Sequence, residues 1–421
     1  MTVGPEDETG KASSLLAETT MPNPPRKDRY LPPEILDQIT DLLHDEPEVL
    51  KQCCLVSKPW VPRTRKHLFA DIRFRSPSDL ESWEKTFPDA TNSPAYYTRT
   101  LFVGYPRLIT ASGAEEGGWI RAFSRVTNLD VDNGDRYLRA VDVSLAPFHK
   151  FSPTLNSLRV GPALFPFLGI FDLVCSFPLL EDLNLAGHTD PWFNDEDPDA
   201  PQIVIPSTSP VFTGSLDLHV RGGAGRTARQ LLELPNGLHF QRFALSWDHK
   251  TDLWWIAELV VRCSHSLETL DVTHTFRRTF IRIRVRADNS ISFLVGSVPG
   301  SFNLSKATKL RDLVFRPESQ SVEWITMALQ TITPEHQDLR HISIYVPYYL
   351  TNSGPDIGEL LGEATFREWL DLDRLLVQLW ELYLIPPRVG YVGPEGKGQL
   401  TEYCMGLLLP EVAKRGIVVL V

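Results

Sequence analysis

A chain of 421 residues with 42% hydrophobic and 23% charged side chains has the composition of a folded globular protein and is too long for one ordinary hydrophobic core. Two domains or an elongated repeat array are expected. The formal net charge of -11 argues against a nucleic-acid footprint, and Arg26-Lys27 and Arg277-Arg278 are too short to supply the clustered cations such a footprint needs.

Cys53, Cys54, Cys175, Cys263 and Cys404 are odd in number and form no Cys-x-x-Cys pair. The N-terminus has no basic region followed by an apolar core, so a reducing compartment, cytosolic and/or nuclear, is expected. No run approaches the roughly 18–20 apolar residues that span a bilayer, so no membrane partner is expected. Residues 1–28, rich in Pro, Glu, Thr and Ser, cannot bury enough surface to offset ordering and read as a disordered tail.

The character changes at Leu31. Leu31, Ile35, Leu36, Ile39, Leu42 and Leu43 recur at helical spacing behind Pro32 and Pro33, and a proline at the first helical position has no partner to lose. Glu34 suits the positive end of that helix. Pro47-Glu48 opens a second helix carrying Val49, Leu50, Cys53, Cys54 and Val56, which Pro59 ends, and a third runs from Trp60 to Phe69. So small a unit presents more apolar side chains than it can hide, which marks an interaction module.

These strings resemble the F-box motif. The matching blocks are Leu31-Pro32-Pro33-Glu34-Ile35-Leu36, then Leu42-Leu43, then Leu55-Val56-Ser57-Lys58 with Trp60, and finally His67-Leu68-Phe69. The resemblance implies that residues 29–75 form a three-helix F-box docking a Skp-family adaptor, and through it a cullin–RING ubiquitin ligase. Carried over to this sequence, it assigns adaptor binding to Leu31, Pro32, Ile35, Leu36, Leu55, Val56 and Trp60. Ile39, Leu43 and Leu68 are expected in the module's own core. Pro59 departs from the helix formers usual at its position and is expected to shorten the second helix.

Across residues 76–421 a strand-like core recurs: Leu129-Asp130-Val131, Leu158-Arg159-Val160, Leu183-Asn184-Leu185, Leu216-Asp217-Leu218, Phe243-Ala244-Leu245, Leu270-Asp271-Val272, Leu313-Val314-Phe315 and Ile342-Ser343-Ile344. Most spacings lie near the roughly 20–29-residue period of leucine-rich repeats, without the usual Asn ladder in most units. The fold class expected is α/β, a three-helix F-box followed by an irregular leucine-rich-repeat-like solenoid, a curved parallel sheet with outer helices. Ser321 is the expected N-cap ahead of Val322, Ile325, Leu329 and Ile332; Trp369, Leu372, Leu375, Leu376 and Leu379 share another helix face. Residues 281–294 read as an inserted hairpin, residues 189–201, 221–226 and 386–398 as loops, and residues 417–421 as a closing strand.

No chemistry-bearing motif survives inspection. The glycine-rich 221–227 segment lacks the P-loop Lys, no zinc or other metal cluster forms, Gly296-Ser297-Val298-Pro299-Gly300 is not a nucleophile elbow, and no cofactor is implied. The expected role is therefore non-enzymatic: a substrate-recognition subunit binding an unidentified target protein, or alternatively a scaffold that binds the adaptor or other partners without promoting ubiquitination. Residues between and after the inward leucines should face the concave surface, which nominates Asp130, Asp132, Asn184, Asp217, Asp271, Arg316 and Tyr345 for target binding, with a basic patch on the partner meeting the aspartates.

Overall fold

The computed structural model describes residues 31–104, 119–132, 145–161, 170–188, 206–221, 224–247, 250–274, 302–317, 322–346, 357–383, 387–391, 406–416 and 419–420. The expected tail at 1–28, the hairpin at 281–294, the loop at 189–201 and Ser321 lie outside the described residues. The chain divides into two compact units, Met1–Thr64 and Arg65–Val421.

In the first unit, α1 (Pro33–Leu42) begins with Pro32 at the cap position and Pro33 in its first turn. Helix α2 (Pro47–Val56) likewise begins on proline, and a 3-10 turn over Lys58–Trp60 takes Pro59 where a helix interior could not. Helix α3 (Val61–Leu68) follows and runs across the boundary between the units. Arg63 joins α3 to α1 by donating from Nε and Nη2 to the Asp41 carboxylate, the Nε contact at 2.6 Å. Leu36, Thr40, Leu50 and Thr64 are buried, each threonine hydroxyl donating to the carbonyl four residues back.

Among the described residues the second unit is an α/β unit built on one parallel sheet of twelve strands in sequential order. The strands are β1 (Asp71–Phe74), β2 (Thr100–Val103), β3 (Asn128–Val131), β4 (Ser157–Val160), β5 (Asp182–His188), β6 (Ser215–Arg221), β7 (Arg242–Trp247), β8 (Thr269–His274), β9 (Asp312–Pro317), β10 (His341–Val346), β11 (Pro387–Tyr391) and β12 (Val419–Leu420). All eight expected cores are strands, β3 to β10. The sheet begins at Asp71, within the 29–75 segment assigned to the three-helix module and after the expected end of its third helix at Phe69. The expected loop at 386–398 contains β11, and that at 221–226 contains the start of a helix at Ala224.

Alternation explains why one sheet face is buried and the other is not. Leu129, Leu158, Leu183, Leu216, Phe243, Leu270, Leu313 and Ile342 lie in one register row, and Val131, Val160, Leu185, Leu218, Leu245, Val272, Phe315 and Ile344 in a second. None of these side chains is more than 2% exposed. A parallel strand covered on both faces would read as a continuous apolar run; period-two alternation leaves a polar face.

The apolar rows share one core with helix residues. These come from α4 (Pro77–Thr86), α5 (Ile170–Cys175), α6 (Ala224–Leu232), α7 (Lys250–Cys263), α8 (Glu323–Leu329), α9 (Ile357–Tyr383) and α10 (Pro410–Lys414). Helix α4 is closed by a capping box in which Ser76 and Asp79 satisfy each other's backbone N–H groups. The α8 face is as expected, with Val322, Ile325, Leu329 and Ile332 buried, but its cap position is Val322. A valine offers no side-chain acceptor, so Glu368 of α9 supplies one, receiving the N–H groups of Val322 and Glu323. Asp373, one turn further along α9, does the same for Glu411 and Val412 at the start of α10, each at 2.9 Å. Burial pushes the Asp373 carboxyl above the usual aspartate range, against the pull of those two N–H groups.

The junctions between strands repeat one main-chain device. Each of the Ala70, Arg99, Thr127, Asn156, Gly214, Gln241, Glu268 and Arg311 carbonyls receives two successive N–H groups from the start of the next strand. At the β5–β6 junction the Glu181 carbonyl receives only the Ser215 N–H, at 2.7 Å. There Gly214 turns with φ +59°, and a Cβ on it would collide with that carbonyl oxygen.

Candidate functional site

Two surfaces carry the features that the sequence singled out. On the first unit, helical periodicity splits the apolar stripe of α1 in two. Leu36, Ile39 and Leu43 stand at i, i+3 and i+7 and turn inward, Leu36 buried and the other two half-buried. Leu31, Ile35 and Leu42 turn outward and are exposed, Leu42 at 83%. In α2, Leu50 is buried with Cys53 and Cys54 half-buried beside it in the helical repeat, while Val49, Leu55 and Val56 are exposed. Leu55 and Val56 are 79% and 70% exposed.

The expected adaptor-binding residues therefore fall into two groups. Leu31, Pro32, Ile35, Leu55 and Val56 are free for a partner to cover, and Trp60 is half-buried. Leu36 is placed in the interior, because its position one residue past Ile35 rotates it about 100° around the helix. Leu68 is half-buried.

On the second unit the polar sheet face holds three register rows. The middle row runs Asp130, Arg159, Asn184, Asp217, Ala244, Asp271, Val314 and Ser343 across β3 to β10. Two residues further along the strands, His219, Ser246, Thr273 and Arg316 are in register from β6 to β9. Two residues earlier lie Asn128, Ser157, Asp182, Ser215, Arg242, Thr269, Asp312 and His341, a wholly polar row that the sequence reading overlooked. Its signal was present as the residue immediately before each inward leucine or its substitute.

The nominated target-binding residues are largely engaged with one another or with a neighbour. Asp271 accepts from Nε and Nη2 of Arg316, each at 3.0 Å, and the Arg316 guanidinium lies 4.1 Å from the Tyr345 ring centre. Asn184 donates to Asp217 at 2.5 Å, and Nε2 of His219 lies 2.7 Å from the other Asp217 oxygen, close but without hydrogen-bond alignment. Asp130 has Arg159 at 3.8 Å; burial raises its carboxyl above the usual aspartate range, Arg159 opposes this, and Asp132 adds to it. Asp132 lies over Gly161, where any larger residue would strike its carboxylate, and its Oδ1 is a buried acceptor without a donor. Of the four nominated aspartates, Asp271 is paired with an arginine, Asp130 has Arg159 nearby, Asp217 meets Asn184 and His219, and Asp132 has no cation beside it among the described residues.

Ser246, His219 and Asp217 lie in hydroxyl, imidazole, carboxylate order, with His219 Nδ1 at 2.7 Å from Ser246 Oγ but the His219–Asp217 contact not aligned as a hydrogen bond. The order is that of a nucleophile relay, but Ser246 is only 6% exposed, which covers the hydroxyl that would have to attack. Among the described residues no group of three or more His, Cys, Asp or Glu side chains could hold a metal ion. Nor is any helix among them long and apolar enough to cross a membrane. Helix α6 has its first turn packed inward through Ala224, Gly225 and Thr227.

No protein-family model matches the chain, and no curated protein matches it in sequence.

Proposed function

We propose that the chain is a substrate receptor of a cullin–RING ubiquitin ligase. In this reading the N-terminal helices act as an F-box that docks a Skp-family adaptor, and the leucine-rich-repeat-like sheet holds a target protein on its polar face. The observation that carries the reading is the outward row of apolar side chains on α1 and α2. Leu42, Leu55 and Val56 are each at least 70% exposed, although buried positions lie one or a few residues away. Large apolar groups left in water on so short a helical unit mark a surface to be covered.

The chemistry asked of such a receptor is concentration. Holding the target and the adaptor on one chain makes the encounter of target and ligase effectively intramolecular. No bond-making group is required of this chain, and the covered Ser246 hydroxyl is consistent with that.

The test is reconstitution. The purified chain should bind a Skp-family adaptor directly, and proteins captured by the sheet unit should turn over in cells only when both the helical unit and a functional cullin are present. A folded chain that fails to bind any Skp-family adaptor sinks the reading. Adaptor binding without cullin-dependent turnover of any captured protein makes the chain a scaffold.

A further inference from the structure

We propose that His239 and His265 form a two-point site for a divalent transition-metal ion of the nickel, copper and zinc group, which clamps one repeat of the sheet unit to the next. Nδ1 of His239 lies 2.7 Å from Nε2 of His265, and the ring centres are 4.9 Å apart at 80°. In this contact one ring N–H donates to the bare nitrogen of the other ring, so a single proton sits between two ring nitrogens. A divalent ion can take the place of that proton, since neutral imidazole is a ligand for all three metals. The pair belongs neither to the outward apolar row nor to the polar sheet face, so the proposal stands apart from the receptor reading.

The dimensions fit an ion. Metal–nitrogen bonds of about 2.0–2.1 Å put two imidazole nitrogens on one ion about 2.9–3.3 Å apart, with ring centres roughly 4.5–5.2 Å apart. The ring centres already fall in that range, and the nitrogens need part by only about 0.2–0.6 Å as the rings tilt. The backbones need not move, because they are tied to one another. Ser266 Oγ, next to His265, lies 3.0 Å from the carbonyl oxygens of Cys263 and of Phe240, the neighbour of His239. The Ser266 and Leu267 N–H groups donate to Cys263 as well, and the His239 N–H donates to the Phe212 carbonyl. Phe240, Cys263 and Leu267 are buried, whereas His239 is half-buried and His265 exposed. The pair is thus anchored on its inner side and open to water, which supplies the remaining ligands. No third His, Cys, Asp or Glu joins it among the described residues, so the site is an open one and not a closed structural zinc centre. Since the two histidines stand on the segments entering β7 and β8, an ion held between them binds only while those segments keep their native spacing.

The experiment titrates the full-length chain calorimetrically with Ni2+ in a non-chelating buffer, and repeats it with His239→Gln, His265→Gln and the double variant. The differences isolate this site from the chain's other histidines. Each single variant should bind Ni2+ about tenfold or more weakly, because one imidazole loses the chelating help of the other, and the double variant should lose little beyond that. Ni2+ should also raise the thermal midpoint of the parent and not that of the variants. Diethylpyrocarbonate labelling of the parent, read by mass spectrometry, needs no variant: Ni2+ should protect His239 and His265 together, whereas Mg2+, which prefers oxygen ligands, should protect neither. Unchanged Ni2+ affinity in either single variant overturns the proposal. So does labelling of both histidines that Ni2+ leaves undiminished, or protection by Mg2+ as complete as that by Ni2+.

Discussion

Replacing Leu55 and Val56 together by alanine separates the docking reading from a purely structural one. The two side chains are 79% and 70% exposed, so about three-quarters of each remains for a partner to cover. Full burial of a leucine or valine side chain is worth about 1.5–3 kcal/mol, so each covered fraction contributes roughly 1–2 kcal/mol. Alanine keeps the Cβ share, which leaves a loss of about 2–3 kcal/mol for the pair, or roughly 30- to 150-fold in adaptor affinity. Folding should hardly notice, because exposed substitutions usually change stability by less than about 0.5 kcal/mol. Leu50→Ala provides the contrast: at 1% exposure it should cost about 2–5 kcal/mol of stability. Isothermal titration against a Skp-family adaptor, with thermal melts monitored by circular dichroism, reads both quantities. If the double variant melts as early as Leu50→Ala, its side chains are core and the assignment of an outward row fails. If it melts like the parent and binds the adaptor equally well, the row is not the docking surface.

Other expectations concern the frame that carries these surfaces. Gly214→Ala places a side chain in the left-handed region and against the Glu181 carbonyl, and should cost about 2–4 kcal/mol, seen as a thermal midpoint lowered by several degrees. Asp373 binds a proton more readily folded than unfolded, so its contribution falls as pH rises through and above the ordinary aspartate value of 3.8. Asp373→Asn should flatten that part of a stability–pH profile, while at neutral pH it forfeits one acceptor for the α10 N–H groups, costing about 1–2 kcal/mol. The Cys263 thiol is buried and pushed up to about 12, so it should resist iodoacetamide in the native chain at pH 8, whereas the half-buried Cys53 and Cys54 should react. Peptide mapping by mass spectrometry checks this.

The sheet was legible where each strand repeats one local pattern. Two inward apolar residues separated by one residue, polar in all but β7 and β9, marked β3 to β10, because burial selects that alternation strongly. The signal fails at the ends for identifiable reasons. Asp71-Ile72-Arg73-Phe74 has the alternation but directly follows a helical pattern, and Pro387 to Tyr391 contains a proline and a glycine that read as a turn. Proline is tolerated at the first residue of a strand, which is where Pro387 stands. The site was harder to read than the frame. A residue such as Asp271 was placed on the correct face by position, but its role depends on Arg316, a partner 45 residues away in sequence. Periodicity supplies direction for a side chain and says nothing about which neighbour will neutralise it. For Leu36 the difference is angular: it is buried while the adjacent Ile35 is exposed, and the motif lists both.

The sequential strand order has a consequence for how the molecule is made. Strand β(n+1) needs only strand β(n) as its template, and the paired N–H groups at most junctions are supplied by the start of the newly arriving strand. The sheet can therefore be completed in the order of synthesis, each unit settling onto the one before it as the chain leaves the ribosome. Among the described residues β12 contributes two residues to its pairing with β11, the shortest pairing in the sheet, so the β11–β12 contact should be the first to open. A pulling force applied to the C-terminus should accordingly peel the sheet strand by strand, and premature termination should leave a shorter stack with an intact beginning.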